Sequence, residues 1–143
     1  NIHEFNPRKT KFDLIISISA LEHISDDQKI ISKFPSMLKD SGIELHFVPS
    51  GWGLFIYLLH GYRQYTLRKI ADKFGVKNTI AIPLGGLFSF LLHIIFITFA
   101  EIVLKINLRD KMPSTYKYLL DKSLYFDRFI PIFPSMYAVI RKL

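Results

Sequence analysis

The 143-residue, 16.7 kDa chain is half hydrophobic and 22% charged, a balance that can bury a core and excludes disordered and collagen-like proteins. It contains no cysteine, which excludes disulfide staples, thiol nucleophiles and thiolate metal or iron–sulfur sites and fits a reducing, cytoplasmic compartment. The net charge of +7 is unevenly spread, −1 over residues 1–50 and +8 over residues 51–143, so acidic ligands or surfaces are expected to meet the second part.

Residues 1–11 are polar and mixed in charge, unlike a secretory signal. Residues 12–19 form a short β-branched apolar run, the pattern of a strand buried on both faces of a parallel sheet. Ser25, with Gln28 three residues on, predicts a capping box, and Asp26 and Asp27 oppose the positive end of the helix dipole. Ile30, Ile31, Phe34, Met37 and Leu38 then share one helical face. Pro35 is a kink site, and Gly42 is expected to end the helix. Residues 43–50 read as a second strand. A strand, a helix and a strand with short joints form a right-handed crossover that places the two strands side by side and parallel. In such doubly wound α/β sheets ligands bind beyond the carboxyl ends of the strands, here residues 19–25 and 49–52.

Thr66 predicts the cap of a further helix with Leu67, Ile70, Ala71 and Phe74 on one face and Gly75 past its end. Residues 76–83 suit a third strand, residues 87–106 an apolar helix, Pro113 the start of another, and residues 137–143 a closing strand. Residues 80–100 carry no formal charge over a length near the roughly 20 residues that span a bilayer. Pro83, Gly85 and Gly86 interrupt that stretch, so burial in a core, a dimer interface or a membrane surface is expected in place of a spanning helix.

Phe12-Asp13-Leu-Ile-Ile-Ser-Ile-Ser-Ala-Leu21-Glu22-His23-Ile24, the capped helix, Leu38-Lys39-Asp-Ser-Gly42 and the strand ending in Pro49-Ser50 together resemble the class I S-adenosylmethionine-dependent methyltransferases. The likeness is to the family's fourth strand, fourth helix and fifth strand. The Arg63, Tyr65-Thr66-Leu67 entry into a helix and the closing strand look like the fifth helix and the antiparallel last strand. The family's glycine-rich turn and the acidic residue ending its second strand are absent, and Gly51-Trp52-Gly53 lies in the wrong place to replace them. The resemblance therefore implies an α/β, doubly wound, Rossmann-like methyltransferase sheet that is incomplete, holding family strands four to seven with the last antiparallel. Residues 1–143 would be the C-terminal part of one methyltransferase domain, with residues 84–135 a variable helical insertion. The implied cofactor is S-adenosyl-L-methionine and the implied partner a small-molecule acceptor, a sugar or a lipid-linked compound. The complete protein is then expected to be an enzyme and this fragment alone inactive. An exposed edge at residues 13–19 is expected to drive pairing with a second copy, aggregation, or association with the missing half.

Carried over residue by residue, the resemblance assigns cofactor contacts to Ser19 and Ala20 at the methionine end, while Ser17 and Ile18 read as ordinary buried strand. Asn1, twelve residues before Asp13, matches the place of an adenine contact, and with Ile2 it would end the third strand. His23 is the candidate general base or acceptor-binding group, since the neighbouring Glu22 carboxylate can orient an imidazole; packing against the following helix is the alternative. Glu22, Trp52 and His60 are expected at the acceptor, with structural hydrogen bonding and loop packing as the competing readings. His46, inside a strand, reads as a satisfied core histidine. No metal site is expected, because His3, Glu4, Glu22 and His23 lack ligand spacing. Cations scattered among long apolar runs suit a membrane surface or a phosphorylated small molecule better than nucleic acid. A second functional class follows from the same feature: a non-catalytic, membrane-associated or interaction protein built around residues 80–106, at the inner face of the membrane.

Overall fold

The computed structural model describes residues 11–57 and 63–142. Strand β1 (Phe12–Ile18) leads through a 3₁₀ turn (Leu21–His23) to helix α1 (Asp27–Met37) and strand β2 (Leu38–Pro49). The short helix α2 (Gly53–Tyr57) follows, and then α3 (Leu67–Phe74) and β3 (Thr79–Leu84). Helix α4 (Leu87–His93) runs directly into a π-helix (Ile94–Val103), followed by α5 (Leu108–Lys111), α6 (Pro113–Asp127) and β4 (Met136–Lys142).

Among the described residues four strands form one sheet in the order β1-β2-β4-β3, so the last of them in sequence lies between the second and third. β1 and β2 are parallel, as the crossover predicts, with Leu14 opposite Ile43 and Ser17 opposite His46. The bond from Ser135 N–H to Leu84 O (3.2 Å) and that from Lys142 N–H to Asn78 O (3.0 Å) run in opposite senses along the chain, which makes β4 antiparallel to β3.

Several boundaries differ from expectation for identifiable reasons. The cap of α1 is Asp26 and not Ser25: the Asp26 carboxylate accepts from Lys29 N–H at 3.2 Å, while the Ser25 carbonyl accepts from Arg63 at 2.6 Å. Gly42 does not end the helix, which stops at Met37; it sits within β2 at a register shift against β1. A Cβ at Gly42 would come within 2.8 Å of the Leu38 Cβ, so close approach of the chain to itself, and not helix termination, accounts for glycine there. Thr66 caps α3 as its sequence predicts, accepting from Lys69 N–H at 3.2 Å, and Gly75 takes the left-handed conformation, φ 80°, just past its end. The apolar run beginning at Leu87 is helical but changes to π geometry at Ile94.

Contacts divide the chain into two compact units, one of residues 1–48, 61–82 and 137–143, the other of residues 49–60 and 83–136. The first unit owns the main core. Ile30, Ile31 and Phe34 of α1 and Ile70 and Phe74 of α3 pack on one sheet face against Val48, Tyr137 and Val139. Period-two alternation sends Leu14, Ile16 and Ile18 of β1, and Ile80 and Ile82 of β3, to the opposite face, where all five are exposed. In the second unit the buried Asp127 at the end of α6 accepts from the N–H groups of Phe88 (2.8 Å) and Ser89 (3.3 Å), supplying the cap that Gly86 cannot give α4.

Candidate functional site

The carboxyl end of β1 is built as a sharp exit from the sheet. Ser19 donates its N–H to Phe47 O at 3.0 Å and adopts φ 45°, a left-handed conformation uncommon for serine, and the chain then turns into the 3₁₀ segment. Ser19, Ala20 and His23 are exposed, whereas Glu22 is enclosed at 1% exposure. The Glu22 Oε2 atom is buried without a hydrogen-bond partner among the described residues, a costly arrangement that needs an explanation. These four predicted residues therefore share one strand end, with the carboxylate turned inward and the imidazole at the surface. Trp52 belongs to the second unit; its ring lies edge-on to Phe133 (4.5 Å between centroids) and Phe90 (6.5 Å) and is 42% exposed. Asn1, Ile2 and His60 lie outside the described residues.

Two polar clusters of the first unit escape a reading of sequence alone. In one, the fully buried Asp27 accepts from Tyr65 O–H (2.8 Å), from Lys73 Nζ (2.8 Å) and from the Arg63 guanidinium. Burial raises the Asp27 carboxyl, but the hydrogen bonds from Lys73 and Tyr65 and the charges of Lys73 and Arg63 outweigh it and hold the group below its usual range. The same contact pushes the Tyr65 phenol up, first through burial and then through the Asp27 carboxylate. A cavity of about 380 Å³ lined by Arg63, Tyr65, Lys69 and Lys73 adjoins this cluster. No local pattern announces it, because Asp27 lies 36 to 46 residues before its three partners.

In the other cluster, His46 is fully enclosed, stacked on Phe34 (5.0 Å) and against Phe74 (5.3 Å). The tautomer that satisfies both ring nitrogens has Nε2–H donating to Glu44 (3.3 Å) and Nδ1 accepting from the Ser17 hydroxyl (2.7 Å). Glu44 is in turn held by two bonds from Arg141, at 2.8 and 3.0 Å. Hydroxyl, imidazole and carboxylate follow the order of a hydrolytic triad, but the imidazole has no exposed surface and a substrate has no route to it. His46 is the satisfied core histidine that its place in a strand predicts. Sequence held one usable signal here, since alternation puts Glu44, His46 and Val48 on the same face of β2.

In the second unit, His93 Nδ1 is also buried without a partner among the described residues, and burial followed by the nearby Arg109 charge pushes the imidazole down. Among the described residues no group of three potential metal ligands comes together, and no helix is long and apolar enough to cross a membrane.

The sequence matches no protein-family model and no curated protein. Among solved structures, the chain is similar to the [4+2]-cyclase SpnF, with a TM-score of 0.50 and 13% identity over 99% of this chain and 54% of that one. It is similar, too, to Haemonchus contortus phospholethanolamine N-methyltransferase 2 in complex with phosphomonomethylethanolamine and S-adenosylhomocysteine, with a TM-score of 0.50 and 16% identity over 100% of this chain and 36% of that one. The fold is Rossmann-like α/β, in part. The chain spans about half the length of the first of these proteins and about a third of the second. A Rossmann-like fold locates a ligand site at the strand ends without specifying the reaction, and these two proteins, a cyclase and a methyltransferase, differ in chemistry.

Proposed function

We propose that the protein belongs to an S-adenosylmethionine-dependent methyltransferase and contributes the C-terminal half of its domain, with residues 84–135 as the variable insertion. The observation that carries this reading is the sheet: a parallel β1-α1-β2 crossover followed by an antiparallel β4 inserted beside β2, on the residues that resemble the family. The residues present fit one end of the cofactor. Ser19 and Ala20 leave the sheet through a left-handed turn that exposes them, and the buried, unpartnered Glu22 oxygen lies one turn away.

When bound, the cofactor supplies an activated methyl group to an in-line displacement. The chain's own tasks are then to hold the acceptor and to take its proton. Alignment accounts for roughly 7–11 kcal/mol in favourable cases, and a positioned base for on the order of 10²–10⁴ in rate. His23, exposed beside the strand end, takes the role of base, while the enclosed Glu22 carboxylate stays inside the turn that carries it. The acceptor class we assign is a small molecule with a lipid or sugar part; the many exposed apolar side chains of the second unit favour the lipid-linked form.

Calorimetric titration of the complete gene product with S-adenosylhomocysteine tests the reading. Saturable binding that weakens on Ser19→Trp substitution is expected, and absence of binding removes the proposal.

A further inference from the structure

We propose that the second unit docks on the surface of an anionic lipid bilayer through α6 and the α4/π-helix segment. Tyr118, Lys122, Tyr125 and Phe129 follow one another at intervals of four, three and four residues, which places them along one face of α6 and its C-terminal extension. That face is open to solvent: Tyr118 is 61% exposed, Tyr125 52% and Phe129 70%. Cations are interleaved with the rings. Lys122 Nζ lies 5.7 Å from the Tyr118 ring, and the Arg128 guanidinium 5.8 Å from that of Tyr125. A second exposed stripe, Leu91, Ile95, Phe99 and Val103, recurs every four residues from α4 through the π-helix.

Aromatic rings with a polar edge and long cationic side chains are the groups that settle at the boundary between headgroups and acyl chains. The charges of the unit complement anionic headgroups. Its acids are occupied: Glu101 is clamped by Arg109 through two 2.6 Å bonds, Asp121 pairs with Lys117 at 2.7 Å, Asp127 is buried in the α4 cap, and Asp110 bonds with Asn107. Lys105, Lys111, Lys122 and Arg128 of the unit are exposed, the last two beside the rings of α6. A symmetric pair of copies meeting on this face would bring the cations of both, Lys122 and Arg128 included, into one interface, which argues for lipid over self-association as the occupant. The described helices are too short to cross a bilayer, so the surface lies on the membrane and does not span it.

This inference does not depend on the methyl-transfer reading. The test is flotation of the purified protein with vesicles of phosphatidylglycerol and phosphatidylcholine, against vesicles of phosphatidylcholine alone. Recovery with the anionic vesicles, weakened by salt, is expected. Lys122→Gln should weaken partitioning roughly fivefold, and the Tyr118→Ser/Phe129→Ser double variant by more, with far-ultraviolet circular dichroism unchanged. If the double variant misfolds, Lys122→Gln decides alone. The proposal is overturned if the protein stays at the bottom of the gradient with anionic vesicles, or if it floats equally on neutral ones with no effect of Lys122. Self-association that the double variant abolishes, measured by sedimentation, would overturn it as well by giving the face to a second copy.

Discussion

Asp27 carries more of the first unit than its place in the first turn of α1 suggests. Its carboxylate joins the start of α1 to Arg63 and Tyr65 before α3 and to Lys73 inside it. With the folded-state value below the ordinary 3.8, the unfolded chain takes up a proton first as pH falls. Stability from this group is therefore complete above about pH 5 and lost as pH falls through the folded value. Asp27→Asn leaves two cations and a phenol without their shared acceptor and should cost about 3 kcal/mol near neutral pH. Urea unfolding at several pH values checks this: the variant should show a flatter acid limb, and parallel profiles would show that the cluster is not the acid-sensitive element. At the strand end, the sequence singled out Ser19, Ala20, Glu22 and His23 as neighbours, but their split between core and surface is a product of packing. Adjacent residues on a tight turn point to different sides, and nothing in Leu-Glu-His-Ile says which side is covered.

Among the elements, β4 and the α4–α6 pair show how distant residues fix local geometry. Arg141 on β4 binds Glu44 on β2, donates to the carbonyls of Ile31 and Phe74 at 3.0 Å each, and lies 5.5 Å from the Phe74 ring. One side chain thus ties two helix segments to the middle of the sheet. In the second unit, Gly86 lets α6 approach α4 closely: a Cβ there would lie 2.6 Å from Ile130 O and 2.9 Å from the Asp127 carboxyl carbon. Because Gly86 has an extended φ of −163°, the obstacle to a larger residue is contact and not backbone strain. Gly86→Ala should destabilise the protein by about 2 kcal/mol, by overpacking and by displacing the Asp127 cap. Equilibrium urea unfolding reads this directly, and an unchanged midpoint would mean the two helices part without cost. The strands, Thr66 with Gly75, and Pro113 were all legible because each rests on a local rule. The Ser25 cap and the helix end at Gly42 were misread because a distant arginine and a register shift decided those positions.

For the whole molecule, the open side of the sheet has the largest physical consequence. Among the described residues β1 is a terminal strand, and Leu14, Ile16 and Ile18 are 47%, 51% and 68% exposed on its outward face. An apolar edge of this kind is a template for further pairing. The 143-residue chain alone should self-associate, and Ile16→Lys should shift it toward monomer in sedimentation velocity; a monomeric parent chain would contradict the expectation.

The sequence by itself determined the alternation of strands and helices, the parallel crossover, and the likeness to a methyltransferase sheet over its first third. Those properties depend on periodicity, caps and short connections, which are written within a dozen residues. Tertiary structure alone decided that β4 enters beside β2, that Asp27, Arg63, Tyr65 and Lys73 converge, and that Glu22 is buried while His23 is not. It also decided that the apolar stripes on α4, the π-helix and α6 face solvent. Each of these turns on which surface another part of the chain covers, and burial is a property of the packed molecule that no local pattern encodes.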